Sequence, residues 1–425
     1  MTFRAVLFAF TADLIPLYAL YALLFAAHGL NAAQISSLLA IWSATSFVLE
    51  IPSGAWADTV DRRHLLILSG SLLTAGFTAW TLFPSYLGFA AGFVLWGAAG
   101  ALRSGTFEAL LYDDLHARTA TAHYPKLLGY TRAAAESAAL LGILAAAPLY
   151  ARGGYALVAW SSVGMAALHV LAAVALPSAP KSVSTADIED LEEDPDTTVD
   201  NFATPESTEP SAPQPASPGY LAMLRSGLRE AFRVKIIRRG VILVALLNGM
   251  TAFDEYFALL ADHAGAGPSL AAILVAVTVA GSLAGSLLAG RTEGMRATTM
   301  ALALAVAGLL FTTGALVAGS AAHHTAQLYV LTAVGFTAVG IAYGIDYNTD
   351  VIASARLQDA ITGPARATVT SVSGFATELM ALTVFAFAAL ASTWLPIPTM
   401  IALLGLPLLL AAALVPTWLP RDRDE

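Results

Sequence analysis

The chain has 425 residues, of which 57% are hydrophobic and 12% charged, with a mean hydropathy of +0.70 and a formal net charge of −9. Soluble domains carry roughly 25% charged residues, so this composition excludes a water-soluble fold. The absence of cysteine excludes disulfides, thiolate catalysis and cysteine-ligated metals.

Hydrophobic runs separated by Gly, Pro and charged residues predict twelve membrane-spanning helices, since about 20 apolar residues are needed to cross a bilayer. The predicted spans are 3–27, 33–57, 65–83, 86–112, 126–150, 154–176, 240–262, 269–289, 297–319, 326–350, 367–391 and 398–418. The first run is too long for a signal peptide and is interrupted by Asp13 and Pro16, so it is interpreted as a retained span. Pro16 lacks a backbone donor and predicts a bend in span 1 near the midplane.

This order of spans predicts an all-α membrane protein with two six-helix halves, residues 1–176 and 240–425. Between them, residues 177–219 hold one lysine against ten Asp and Glu, a balance of −9 that equals the net charge of the whole chain. With eight prolines, this segment predicts a disordered cytoplasmic linker. Residues 220–239 combine leucines at helical spacing with the basic run Arg225–Arg239. They predict an amphipathic helix on anionic lipid of the inner leaflet and not a nucleic-acid site.

The basic residues outside the spans predict the orientation of the chain. Nearly all of them fall on one side of the membrane, the side of the N-terminus, and only Arg152 falls in a loop on the other side. Lys and Arg are retained in the cytoplasm during insertion. The pattern therefore predicts a multi-pass protein of the cytoplasmic membrane, with both termini in the cytoplasm. A monomer is expected.

The sequence after span 2, from Gly54 to Arg63, reads GAWADTVDRR. Together with six spans, a long linker and six more spans, this loop resembles the signature loop of the major facilitator superfamily, in its drug/proton-antiporter-like bacterial branch. The resemblance covers nearly the whole chain and implies two pseudo-symmetric bundles and a gating loop made by Gly54, Asp58, Arg62 and Arg63. It also implies that Asp58 accepts hydrogen bonds from the start of span 11, near Pro364, and so latches one state of the transport cycle.

The loop departs from the family pattern at two positions, where Thr59 replaces a basic residue and Asp61 replaces a glycine. A degenerate copy of the same loop follows span 8, over residues 281–296, with Ala289 in the position of Asp58. By analogy, only the first copy is expected to carry the full latch.

Spans 4 and 5 bear on proton coupling. Arg103 in span 4 resembles the arginine that the family ties to proton coupling. Span 5 lacks the family's antiporter signature, because Ala147 stands before Pro148 where that signature has a glycine. This departure weakens the inference of antiport.

Charged residues inside the spans are the main candidates for function, because a charge near the bilayer centre costs roughly 2.5–3.5 kcal/mol unless it faces a cavity or a partner. The candidates for solute transport or proton coupling are Asp13, Arg103, Glu108, Arg132, Glu136, Asp254, Glu255, Asp346 and Glu378. In the N-terminal half, the two arginines either pair with the glutamates as scaffold, or Arg103 sets the proton affinity of Glu108 or Glu136. Asp13 either serves a proton or solute site beside the bend or makes a stabilising contact with Arg103 or Arg132.

The acids of the C-terminal half have no basic residue within their predicted spans. Buried acids without partners should be protonated or should hold a cation. In span 7, the α-helical spacing of Asn248, Thr251, Glu255 and Asp262 favours Glu255 over Asp254 as the acid that faces a cavity. A similar polar stripe on span 10 is formed by Tyr343, Asp346 and Asp350.

These features predict a secondary transporter that moves a small organic solute by alternating access, with the solute site between the two halves. Proton-coupled export of an amphiphilic or cationic compound, as in multidrug or metabolite efflux, is the main expectation, with the proton gradient as energy source and neither cofactor nor metal. Proton-linked uptake of a sugar, a metabolite or an iron chelate is the alternative, because a fold does not fix direction. A polytopic membrane enzyme is disfavoured, since no cluster of His, Asp or Ser marks a catalytic face.

Overall fold

A computed structural model describes residues 1–183, 234–361 and 366–420, and this part of the chain is helical, without strands. Eleven of its helical runs are long and apolar enough to cross a membrane. The spans are Thr2–Ala27, Ala32–Thr59, Arg62–Leu82, Tyr86–Ala117, Tyr124–Val174 (spans 5 and 6), Lys235–His263, Pro268–Thr292, Ala297–Ser320, Leu328–Ala360, Arg366–Ala391 and Ile397–Trp418. Every predicted span coincides with one of these runs, and spans 4 and 10 continue beyond their predicted ends.

Spans 5 and 6 form one helical run, Tyr124–Val174, which bends back on itself at Gly154 and the glycine before it. A straight helix of this length would measure about 76 Å, more than twice the hydrocarbon thickness of a bilayer. Gly142 of the first arm and Ser162 of the second both contact residues 15–17 of span 1, so the two arms lie side by side. Gly154 has a φ of +59°, which a residue without Cβ adopts freely. The run therefore counts as two spans, and the described residues contain twelve spans.

Spans 1 and 7 are both interrupted part of the way along. In span 1 the α-helix ends at Asp13 and Pro16 begins a 3₁₀ turn, which confirms the predicted bend. Ser162 of span 6 accepts a hydrogen bond of 3.0 Å from the freed N–H of Leu17, as required where a backbone is broken inside a membrane. In span 7, residues Thr251–Tyr256 are 3₁₀. No proline marks this second interruption, and the sequence did not predict it.

In the C-terminal half, spans 8 and 10 touch backbone to backbone. A Cβ atom at Gly281 would collide with the carbonyl group of Gly340, and one at Gly285 would collide with that of Gly344. Small residues at a spacing of four allow such an approach. The first small residues of the degenerate loop copy, Gly281 and Gly285, therefore form a close contact between spans 8 and 10.

The two halves meet where span 2 packs against span 11 and where span 5 packs against span 8. We call the end of the bundle where span 1 begins and span 12 ends the terminal end, and the opposite end the distal end. Near the distal end the Ser269 hydroxyl donates to the carbonyl oxygen of Ala147 at 3.1 Å, and the hydroxyls of Ser36 and Tyr256 lie 2.8 Å apart. These contacts join the halves at the distal end.

Residues 184–233 lie outside the described residues. The predicted acidic linker over 177–219 and the predicted basic helix over 220–239, with its lipid contact at Arg225–Arg239, therefore stay predictions. Lys235–Met250 is a single α-helix. The last residues of the predicted basic segment thus continue directly into span 7.

Two arginines that the sequence places in loops are buried, with Arg62 only 3% and Arg356 only 7% exposed. Arg356 lies on the extended last turns of span 10, where its guanidinium donates to the carbonyl oxygens of Glu293 at 2.6 Å and Met295 at 3.0 Å. The helix of span 10 thus contains a basic residue that the predicted span, 326–350, leaves out, as the helices of spans 7 and 8 do with Lys235 and Arg291. Hydropathy marks the apolar part of a helix and misses polar turns that continue it.

Candidate functional site

A cavity of about 360 Å³ lies within the N-terminal half, and four of the predicted residues line it: Asp13, Arg103, Glu108 and Arg132. Span 4 is broken at this cavity by Gly105, whose φ of +66° is in the left-handed region that favours glycine. Arg103 ends one helix at the break, and Glu108 lies in the first turn of the next. The break allows both side chains to reach the same space. We call it the ion-pair cavity.

Opposite charges meet in the ion-pair cavity. The Arg103 guanidinium lies 3.6 Å from the Asp13 carboxylate, so the contact between these residues is present, and a role of Asp13 in proton transfer stays a prediction. Glu108 lies within electrostatic range of Arg103, and Glu108 and Arg132 are each engaged in further contacts. Glu136 is exposed on span 5, within electrostatic range of Asp13. The charged candidates of the N-terminal half thus form one mixed cluster.

A second cavity, of about 230 Å³, lies between the halves, where the breaks in spans 1 and 7 face each other. The N-terminal half contributes four aromatic side chains and the C-terminal half two acids: Tyr18, Tyr21, Trp42, Trp96, Asp254 and Glu255. Trp96 stacks on Tyr18 with 5.1 Å between ring centroids and lies 5.1 Å from Trp42. We call this space the interface cavity, and it combines an aromatic wall with two carboxylates.

Each acid of the interface cavity is held by a tyrosine hydroxyl. Tyr21 donates to Glu255 across the two halves, and Tyr343 donates to Asp254 within the C-terminal half at 2.9 Å. Glu255 lines the cavity as expected, but the exclusion of Asp254 is wrong, because both acids line the cavity. It assumed α-helical periodicity, whereas this stretch of span 7 is 3₁₀, with about three residues per turn.

Glu378 of span 11 lies at a different point of the interface. Its carboxylate accepts a hydrogen bond from Ser43 of span 2. Close by on the same two helices, the rings of Phe47 and Phe375 are 5.4 Å apart. Glu378 therefore belongs to a contact between the halves.

Asp346 of span 10 is fully buried, and within the described parts of the chain neither of its carboxylate oxygens has a hydrogen-bond partner. Asp350, one turn further along, accepts a hydrogen bond of 3.1 Å from the side-chain amide of Asn248. Tyr343, one turn before Asp346, is the residue that holds Asp254. The predicted stripe on span 10 thus leads away from the interface cavity into the C-terminal half.

The predicted gating loop is organised around Arg62. Its guanidinium lies 2.5 Å from Asp113 of span 4 and 3.5 Å from Asp58, and it also donates to the carbonyl oxygen of Val183. Asp58 therefore contacts a residue of its own loop. Residues 362–365, where the partner of Asp58 before span 11 is predicted, lie outside the described residues, so that latch stays a prediction.

Asp61, one of the two departures from the family loop, begins span 3. Its carboxylate accepts hydrogen bonds from the backbone N–H of Arg63, at 2.9 Å, and from the hydroxyl of Ser178. Burial opposes ionisation of Asp61, but these hydrogen bonds outweigh it and lower the pKa of the carboxyl. Asp61 is thus an N-cap, while Gly54 lies inside the span 2 helix, which ends at Thr59.

Sequence reasoning missed the aromatic wall and the partner of Arg62. Tyr18 and Tyr21 are three residues apart, a spacing that indicates a shared helix face. Trp42 and Trp96 carry no such signal, because only the packing of span 2 against span 4 brings them together. Asp113 follows Tyr112 in a polar stretch that the sequence placed at the end of span 4, where nothing singles out one acid.

The sequence profile of the Major Facilitator Superfamily matches residues 2–349. No curated protein sequence is significantly similar to the chain. Among solved structures, a mutant of the nucleoside transporter NupG aligns with a TM-score of 0.69 and 11% sequence identity, over 97% of this chain and 96% of that one. A D-xylose-proton symporter aligns with a TM-score of 0.64 and 17% identity, over 100% and 97%. At these identities the likeness shows the fold alone.

Proposed function

Because this chain belongs to the major facilitator superfamily, and is a multi-pass membrane transporter and not an enzyme, we propose that it exchanges a small organic cation for protons by alternating access. The observation that carries the proposal is the interface cavity. Asp254 and Glu255 share a space between the two halves with five aromatic rings, four of them from the N-terminal half.

The chemistry of the interface cavity supports a cationic solute. Its lining contains two carboxylates and no basic side chain, so a positive charge is the ligand that compensates their burial. A cation over the face of Trp or Tyr gains about 0.5–2 kcal/mol more from the ring. The volume of about 230 Å³ is small for a ligand site, so the solute is a compact ammonium compound or the cavity enlarges when it opens.

Competition for the same acids supports export. A proton and a cationic solute neutralise the same carboxylates, so one displaces the other, and a carrier with such a site exchanges the two ligands. The inward proton gradient then drives the solute outward. Proton-linked uptake remains the alternative, and it requires the proton and the solute to bind together.

The contact between Tyr21 and Glu255 supports a link between ligand binding and conformation. This hydrogen bond joins the two halves and has to break when they separate at the interface cavity. A proton or a cation on Glu255 takes the place of the tyrosine hydroxyl and so favours separation. A ligand shifts a conformational equilibrium only by such a difference in affinity between the two states.

The proposal includes the location of the protein. The asymmetry of Lys and Arg supports the cytoplasmic membrane, with both termini in the cytoplasm, so that the terminal end faces the cytoplasm. The basic run Arg225–Arg239 is proposed to contact anionic lipid, and the transporter is proposed to work as a monomer.

The test is transport in proteoliposomes with an imposed pH gradient. We expect the gradient to drive a small arylalkyl ammonium compound against its concentration gradient, and the double variant Asp254→Asn, Glu255→Gln to lose this transport. Glu293→Gln is the matched control, since Glu293 is an exposed acid between spans 8 and 9. Transport that ignores the pH gradient and survives the double substitution would refute proton coupling.

Direction is measured with the same protein in oriented vesicles. Right-side-out and inverted membranes from the same cells separate export from uptake. A neutral sugar that accumulates together with protons, while the ammonium compound does not, would favour the uptake alternative.

A further inference from the structure

Asp346 and Asp350 of span 10 are not among the residues that line the interface cavity. We infer that these two acids form a second proton-binding site, separate from the acids that hold the solute. This inference rests on the proposed proton coupling and adds to it the place of a further coupled proton.

Burial is the first observation. Asp346 is 0% exposed, and neither of its oxygens has a hydrogen-bond partner in the described parts of the chain. The hydrogen-bond partners of Asp350 are neutral, the amide of Asn248 and the hydroxyl of Ser354. Residues four apart on a helix are neighbours, so two carboxylates adjoin inside the protein. Two negative charges cannot both be kept there, and a bound proton removes at least one of them.

Among the described helices, none that packs against span 10 supplies a compensating charge. Span 9 contains no charged residue, and the one charged residue of span 8 is the exposed Arg291. Span 7 faces the pair with the neutral amide of Asn248, and its nearest basic residue, Arg239, is about 13 Å earlier along the helix. On span 10 itself, Arg356 follows the pair, and its guanidinium donates to backbone carbonyl oxygens between spans 8 and 9.

The remaining titratable groups of these elements are far along their helices or at the interface cavity. Span 7 also carries Lys235 and Arg238 in its first turns, Asp254, Glu255 and Tyr256 in its 3₁₀ stretch, and Asp262 and His263 at the distal end, while span 10 carries Tyr329 in its first turn and Asp359 in its last. On span 10, Tyr347 stands between the pair and the interface, within electrostatic range of Glu136 and Asp254. None of these groups is a cation beside Asp346.

Tyr343 connects the pair to the solute site. Its hydroxyl donates to Asp254 in the interface cavity, and it precedes Asp346 by one helical turn. When a cationic solute binds Asp254, the hydroxyl is released and can turn to Asp346. A hydrogen bond to the charged form of Asp346 then favours loss of its proton. Solute binding and proton release at two places are thereby coupled through one side chain.

The test measures how many protons are coupled to each solute. In proteoliposomes, the ratio of the solute concentrations inside and outside at which net flux stops is measured over a series of pH gradients. Each coupled proton changes that ratio by about tenfold per pH unit. We expect Asp346→Asn and Asp350→Asn each to lower by one the number of protons coupled to each solute molecule. Solute–solute exchange without a gradient should stay close to wild type, because the interface cavity is intact. Asp262→Asn, an exposed acid at the distal end, is the control and should change neither quantity.

An unchanged dependence on pH in Asp346→Asn would overturn the inference, and so would loss of solute exchange in a folded variant or a requirement for a sodium gradient. A wild type that shows no dependence on pH at all contradicts the proposed function instead. If the variants do not fold, the wild type is treated with a hydrophobic carbodiimide, which reacts with protonated carboxyl groups in apolar surroundings. We expect mass spectrometry to find labelled Asp346, less of it as the pH rises. Absence of the label at every pH would overturn the inference.

Discussion

The two halves of the molecule hold their acids with different partners. The N-terminal half pairs acids with arginines, in the pairs Asp13 with Arg103, Asp113 with Arg62, and Asp114 with Arg118. In the C-terminal half, Glu255, Asp254 and Glu378 accept hydrogen bonds from the hydroxyls of Tyr21, Tyr343 and Ser43, and Asp350 accepts from the amide of Asn248. Asp346 has no hydrogen-bond partner in the described part of the chain. An arginine keeps a carboxylate charged, whereas a hydroxyl or an amide leaves it free to gain and lose a proton. From this difference we expect scaffold and gating roles in the N-terminal half and proton binding in the C-terminal half.

The same contrast recurs at the terminal end. In the N-terminal half the loop between spans 2 and 3 supplies Arg62, and span 4 supplies the acid Asp113. In the C-terminal half the order is reversed, since span 10 supplies Arg356 and the loop between spans 8 and 9 supplies backbone carbonyl groups. One contact depends on a full opposite charge and the other on neutral dipoles. Arg356 thus holds the degenerate loop, which has Ala289 in the position of Asp58.

The largest effect should come from Arg62→Gln. The side chains of Arg62 and Asp113 are each 2% exposed, and removing one partner of a buried ion pair costs about 3–5 kcal/mol. Arg356→Gln should cost less, because a carbonyl group left without a partner carries no net charge. The measurement is the thermal unfolding midpoint of purified protein, with Arg118→Gln, a partly exposed pair, as the control. A greater loss in Arg356→Gln than in Arg62→Gln would break the comparison.

The next effect is expected from packing in the C-terminal half. Gly285→Val places a side chain where the carbonyl group of Gly344 lies, and overpacking of this kind costs about 1–3 kcal/mol. Gly290 lies on the same helix, and an added Cβ there meets no atom within 4 Å, so Gly290→Val should leave the unfolding midpoint unchanged. Equal unfolding midpoints for the two variants would show that the backbone contact contributes nothing to stability.

A smaller effect is expected from Ser162→Ala, which removes the acceptor for the N–H of Leu17 at the break in span 1. The loss of such a hydrogen bond costs about 1 kcal/mol. Ser161→Ala, at the neighbouring position, is the control. The comparison sharpens if the unfolding midpoint falls only in the first variant, since the break in span 1 then needs support from another helix.

The smallest effect concerns the pH dependence of stability at Asp61. Hydrogen bonds lower the pKa of its carboxyl below the ordinary value of 3.8, so the stabilisation is present above that pH and is lost as the pH falls through the lowered pKa. Wild-type protein should therefore lose more stability than Asp61→Asn when acidified below pH 3.8. Parallel unfolding curves for both proteins over this range would contradict the assignment of Asp61 as an N-cap.

Sequence alone predicts those features that depend on many residues or on one chemical marker. A span is a sum over about 20 side chains, so its position tolerates errors at single residues. Pro16 marks the break in span 1 because proline lacks a donor. Span 7 has no such marker, and its change to 3₁₀ geometry moved Asp254 into the cavity beside Glu255. The rotation of a helix about its axis is decided by the helices around it.

Pairing between distant residues is harder to predict for the same reason. The sequence indicated Asp13 and Arg103 as possible partners because few charged residues lie within the spans, which leaves few possible pairs. Arg62 had several acids within reach along the chain, and only the packing of spans 2, 3 and 4 selects Asp113. Where charges are rare the sequence restricts their pairing, and where they are common the fold decides it.

The turn between spans 5 and 6 at the distal end consists of only two glycines. Tyr150 and Tyr155 lie on its two sides, and their ring centroids are 4.9 Å apart. Span 5 contacts the other half through the carbonyl oxygen of Ala147, so a tilt of span 5 passes directly to span 6 through this short turn. Spans 5 and 6 are therefore expected to tilt together about this turn. Movement at the boundary between the halves is thereby carried into the N-terminal bundle.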